Sequence, residues 1–184
     1  MFFSITTYSQ STSWIPIVIE EGKDMEYLAF EKNWMSINQA LIDAGYRTGW
    51  SVWKRTPKDG DDGWAQYYVV VGNNDEKILS QDEWPSFMQK ALGKSQRAIS
   101  KMMDGSGIVS EARTLQLSWV GGTVYAGESI KPGDKMYFHY MTKKNDDFEN
   151  LELNVWKPIA EEQIVDGIRK FWGLAEVTSK SENF

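Results

Sequence analysis

Apolar positions recur along this chain in two rhythms, and the changes of rhythm mark its elements. Phe2 to Tyr8 and Trp14 to Ile19 are rich in β-branched and aromatic residues and predict strands, with Ser9 to Ser13 as the turn between them. From Asp24 to Ala44 the spacing lengthens. Tyr27, Phe30, Trp34, Ile37 and Leu41 fall three or four apart, on one helical face. Gly45 then stands where a helix end wants a residue free to take positive φ. Trp50 to Arg55 and Ala65 to Val71 predict a hairpin around the polar turn Pro57 to Gly63. Glu83 to Met103 predicts one helix, with Pro85 in its first turn and Met88, Leu92, Ile99 and Met102 as its buried stripe. Asp104 to Gly107 breaks it. Arg113 to Val120 alternates as a strand, placing Leu115, Leu117 and Trp119 on one face. The order β-α-β-β-α-β is the ferredoxin-like arrangement.

The same pattern begins a second time. Lys135 to Met141 predicts a strand. Asp146 to Asp166 predicts a helix with Phe148, Leu151, Val155 and Ile159 on one face and a kink at Pro158, and Phe171 to Val177 predicts a strand. Trp34, Ile37, Ile42, Gly45 and Trp50 are matched 122 positions later by Trp156, Ile159, Ile164, Gly167 and Trp172. Upstream, Tyr27, Phe30 and Glu31 match Phe148, Leu151 and Glu152 only after a slip of one residue. We read an internal duplication, with a first unit at 1–122 and a partial second unit at 123–184. Two full copies would need twice 122 residues, more than the 184 of the chain, so the second copy is expected to lack its last third or more.

Composition narrows the chemistry. The chain has no cysteine and a single histidine, His139, which excludes disulfides, thiolate metal sites, a Cys nucleophile and a histidine-rich metal centre. We expect no metal and no cofactor. Twenty Lys and Arg against twenty-six Asp and Glu give a net charge of −6, with no basic stripe, which argues against nucleic acid. No apolar run reaches the length of a membrane span, and the first residues lack the pattern of a signal peptide. The absence of cysteine leans weakly toward an exported protein.

The segment Asp147 to Glu176, an acidic-aromatic helix followed by Trp156-Lys157-Pro158-Ile159, Gly167 and a strand led by Trp172, resembles the first helix and second strand of the dimeric α/β-barrel superfamily. That group includes antibiotic-biosynthesis-monooxygenase-like and NIPSNAP-like domains. The resemblance covers about thirty residues and carries no catalytic motif. It implies an α+β protein in which ferredoxin-like units pack sheet to sheet, with ligands between sheet and helices. The superfamily hosts unlike chemistries, so the fold alone does not choose a function.

The candidate residues follow from these readings. On a strand, His139 shares a face with Tyr137 and Met141; it is the candidate acid/base, although a lone histidine among aromatics is more often simply packed. Arg113 is the candidate anion anchor. Nine Trp, eight Tyr and eight Phe make 14% of the chain aromatic, and the rings outside the repeat, Trp53, Trp64, Tyr68 and Trp119, are the candidate pocket walls. Trp14 and Trp84 are candidates for a subunit contact. Glu31 and Glu152 recur in both copies, which favours a structural bond at the helix edge. The loop Asp104 to Gly107 could cup an anion, but it follows a helix rather than opening one. Asp59 to Gly63 lacks the ligand pattern of a calcium loop. Two functions are therefore expected to compete. The first is binding of a small aromatic or apolar molecule, with or without cofactor-free catalysis. The second is non-catalytic self-assembly as a homo-oligomer.

Overall fold

A computed structural model describes residues 11–58, 60, 63–127 and 130–182. The strand expected at Phe2 to Tyr8 and the middle of the turn expected at Pro57 to Gly63 lie outside the described residues. The elements are β1 (Ser11–Ile19), α1 (Asp24–Asp43), β2 (Arg47–Lys54), β3 (Tyr67–Asn73), α2 (Trp84–Leu92), α3 (Gln96–Met102), β4 (Val109–Ala112), β5 (Leu115–Gly122), α4 (Phe148–Leu151), a π turn (Glu152–Trp156), α5 (Lys157–Val165) and β6 (Gly173–Lys180). The fold is mixed α+β. Its six-stranded open sheet runs β2-β3-β1-β5-β6, with β4 also paired to β1. Contacts divide the chain into two compact units, one of residues up to Ser118 and from Val177 onward, the other Trp119–Glu176.

In the first unit, β1 lies antiparallel to β3 on one side and to β4 and β5 on the other. Ile17 pairs Ala112 and Thr12 pairs Leu117. These pairs share one register, so β4 and β5 are a single strand interrupted at Arg113 and Thr114. The interruption has a local cause. The Arg113 N–H donates to the Pro16 carbonyl at 3.1 Å, but Pro16 has no N–H to return. The sequence pattern predicts this strand only from Arg113, and predicts a turn through Ser13 where β1 has already begun at Ser11.

Helix α1 covers one face of the sheet. Tyr27 packs with Ile17, Ile19, Tyr67, Val69 and Val71, and Phe30, Trp50 and Val52 close the edges of that cluster. Each fully buried large apolar side chain contributes about 1.5–3 kcal/mol. A second cluster joins Ile37 and Leu41 of α1 to Met88 of α2 and Ile99 of α3. The single helix expected over Glu83 to Met103 is two helices. Gly93 adopts a left-handed φ of 62° and caps α2, and the Ser95 side chain then caps α3 by accepting from Ala98 N–H at 3.3 Å. The break turns α3 so that Met88 and Ile99 face α1 together.

α1 ends in a Schellman motif: Gly45 N–H donates to Ile42 and Tyr46 N–H to Leu41, with Gly45 at φ 78°. In the second unit, α5 ends with the same pair of bonds, Gly167 N–H to Ile164 and Ile168 N–H to Gln163, with Gly167 at φ 73°. The kink expected at Pro158 takes the form of the π turn just before it. A regular helix would press the Pro158 ring toward the carbonyl four residues back, and the turn that precedes it is wider, with Lys157 N–H donating to Glu152. The strand expected at Lys135 to Met141 does not form, and that segment carries no regular secondary structure.

Candidate functional site

The ladder sets out the first group of candidate residues. Trp53 pairs with Tyr68, and Tyr68 with Pro16, whose carbonyl binds Arg113. Directly paired residues share a face, so Trp53, Tyr68 and the register position of Arg113 stand in one row, on the side of the sheet away from α1. The Trp14 ring lies 5.3 Å from that of Tyr68, and Trp53 Nε1 donates to Ser51 Oγ at 2.8 Å. Trp14 is buried within the chain, so it is not the exposed subunit contact the sequence reading expects. The Arg113 guanidinium lies 4.0 Å from the Trp64 ring centre, and its Nε donates to Glu111 Oε1 at 2.8 Å. The Trp64 ring and the Glu111 carboxylate together hold the cation in place on the strand that borders the row.

The other candidates belong to the second unit. Trp119 sits on β5, half exposed, with its ring edge-on to Phe171 at 5.9 Å. His139 and Tyr137 lie exposed on the irregular segment that replaces the expected strand. The strand that placed His139, Tyr137 and Met141 on one face is absent, and with it the geometric case for His139 as a positioned acid/base. The loop at Asp104 closes on itself: the Ser106 N–H donates to Asp104 Oδ1, and Ile108 N–H to the Gly105 carbonyl.

One cluster was not foreseen. At the start of α1, Asp24 Oδ1 accepts from Lys54 Nζ and from the Tyr67 hydroxyl, both at 2.6 Å. Lys54 above all, with Tyr67, holds the Asp24 carboxyl below its usual range, while burial and then Asp24 push the Tyr67 phenol up. The Tyr67 ring meets that of Tyr27 at 4.5 Å. One turn along, Glu31 is buried, and its Oε2, like the Tyr27 hydroxyl, forms no hydrogen bond of regular geometry among the described residues. The two lie near enough to perturb each other: burial, then the charge of Glu31, pushes the phenol far up. Burial raises the Glu31 carboxyl, and Tyr27 offsets part of that rise. The structural bond expected for Glu31 is thus poorly formed. The sequence signal was its place one turn beyond Tyr27, inside the apolar stripe.

An open groove of about 750 Å³ runs along α1 and α2, lined by Met35, Gln39, Asp43, Phe87, Lys90 and Leu92. Among the described residues no three His, Asp or Glu side chains converge as metal ligands would, and no helix is long and apolar enough to cross a membrane. Neither a protein-family model nor a curated protein matches the chain.

Proposed function

We propose that the chain is a ferredoxin-like unit followed by a partial second copy, and that its first unit binds a small aromatic anion. Two observations support the duplication. The equivalent helices end in the same Schellman motif at Gly45 and Gly167, 122 residues apart. The π turn at Glu152–Trp156 falls where the second copy carries one extra residue, between the Glu31/Glu152 and Trp34/Trp156 matches. A π turn is how a helix takes up such an insertion without rotating the residues on either side.

The binding reading rests on Arg113, whose guanidinium sits over Trp64 and is braced by Glu111, and whose register position lies in the row of Tyr68 and Trp53. A planar cation next to aromatic faces suits a flat ring bearing a carboxylate: the guanidinium takes the charge and the rings take the plane. Binding, rather than catalysis, is the function these residues can perform together. The test is titration with indole-3-acetate and salicylate by calorimetry, for the wild type and for Arg113→Gln and Trp53→Leu. Saturable binding that falls roughly tenfold in Arg113→Gln, a loss of about 1.4 kcal/mol, is the expected result. Binding unchanged in both variants, or none to the wild type, overturns the reading.

A second reading, assembly with another polypeptide, is favoured by the half-exposed apolar residues Leu151, Val155 and Trp156 on the helix of the second unit.

A further inference from the structure

The outer face of the helical stretch Phe148–Val165 is apolar and uncovered. Leu151 is 51% exposed, Val155 50%, Trp156 51% and Ile159 38%. These residues lie at helical spacing across the π turn and form one stripe. Acids flank it: Glu152 precedes Trp156 by one turn, and Glu162 follows Ile159 by one. From Phe148 to Asp166 there are five acids, Glu149, Glu152, Glu161, Glu162 and Asp166, against one cation, Lys157.

The first unit shows what covers such a helix. α1 has a comparable stripe, Phe30, Trp34 and Ile37, and a net acidic charge from Asp24, Glu26, Glu31 and Asp43 against Lys32. There the stripe is covered. Ile37 is fully buried against Met88 and Ile99, Trp34 packs on the same cluster, and Asn33 Nδ2 donates to the Met102 carbonyl at 3.3 Å. The covering segment, Trp84 to Met103, contains four cations, Lys90, Lys94, Arg97 and Lys101, and no acid. An acidic, Trp-bearing helix is therefore seated under a basic amphipathic helix pair within this same chain.

We propose that the outer face of Phe148–Val165 is a docking surface for a basic amphipathic helical segment of a protein partner, carrying Met, Leu or Ile on its apolar side. Its charge selects among occupants. A second copy of the same helix would set five acids against five, and an anionic lipid surface would repel them. A basic helix meets complementary charge at the rim and an apolar stripe at the centre, the usual division of labour in helix recognition.

The experiment uses the full chain and a fluorescein-labelled synthetic peptide of residues 84–103, read by fluorescence anisotropy. Saturable binding that weakens with added salt is expected. It should fall at least tenfold, about 1.4 kcal/mol, in Ile159→Asp and in Val155→Lys. Both positions are exposed, and unchanged circular dichroism would verify that each variant folds. A peptide with its four cations replaced by Glu should not bind. No binding, or binding untouched by either variant, overturns the proposal, since the latter places the peptide elsewhere on the chain. A homodimer in sedimentation velocity that Ile159→Asp dissociates also overturns it, by assigning the face to a second copy.

Discussion

Replacing Glu31 by glutamine should stabilise the first unit at neutral pH and leave it little changed in acid. Glu31 is 7% exposed, its Oε2 lacks a regular hydrogen bond, and burial raises its carboxyl above the ordinary range. In the unfolded chain the group titrates near pH ~4.3. The folded state holds the proton to higher pH than the unfolded state does. The contribution of Glu31 is therefore fully present below the unfolded value and is lost as pH rises through the folded one. Every tenfold difference between the two protonation equilibria is worth about 1.4 kcal/mol. Glutamine keeps the shape, carries no charge and removes the pH dependence. The expected gain at about pH 7 is about 1.4 kcal/mol for each tenfold by which folding favours the protonated carboxyl, or a rise of roughly 1 M in the urea midpoint for an ordinary denaturant slope. Urea titrations of both proteins from about pH 4 to about pH 8 measure it. A variant less stable than the wild type at neutral pH, or a gap that does not narrow toward acid, would refute the reasoning. Either result would mean that the buried carboxylate is ionised and well paired.

Other substitutions test the remaining structure. Ile37→Ala should cost about 2–5 kcal/mol because Ile37 is fully buried, whereas Ile159→Ala, at a half-exposed position, should cost under about 1 kcal/mol; equal losses in thermal or chemical unfolding would contradict the burial pattern. Gly93→Ala forces an L residue to φ 62° and Ser95→Ala removes the α3 cap; each should cost about 1 kcal/mol by denaturant titration, and a neutral pair would argue for one continuous helix. Deleting Asn154 should restore regular helical winding and bring Pro158 into conflict with it, at a cost of about 3 kcal/mol, which Pro158→Ser in the same chain should largely recover; no recovery would separate the proline from the π turn.

Much of the first unit was legible because its helices and strands are long enough for their periods to show. Tyr27 through Leu41 could be read as one face because the side chains repeat every turn, with the sheet taking its first turns and α2 and α3 its last. The break at Gly93 was hidden because glycine interrupts an otherwise continuous apolar stripe without breaking its spacing; only the left-handed backbone ends the helix. Met136, Phe138 and Tyr140 alternate as a strand should, but alternation fixes no partner strand, and the segment carries no regular secondary structure. His139 was singled out as the one histidine of the chain and by its place on that strand; only the shared face with Tyr137 and Met141 is lost with the strand. Trp53 and Tyr68 were legible as rings outside the positions matched 122 residues apart, and the ladder sets them side by side. The place of Glu31 inside the apolar stripe was legible, but its poorly formed bond to Tyr27 was not, because hydrogen-bond geometry depends on how the packed side chains settle.

Pro16 has a consequence for how the sheet opens and closes. It sits on the middle strand, and its missing N–H leaves one rung of the β1 ladder toward Arg113 with a single bond. By the alternation of an antiparallel ladder, the next hydrogen-bonded pairs on either side are Val18 with Glu111 and Trp14 with Leu115. The ladder therefore behaves as two zippers that meet at a weak tooth. Each closes over its own few residues, and either can fray back to the proline without pulling the other apart. Amide exchange should record this as two protection levels along one strand, with the step at Pro16.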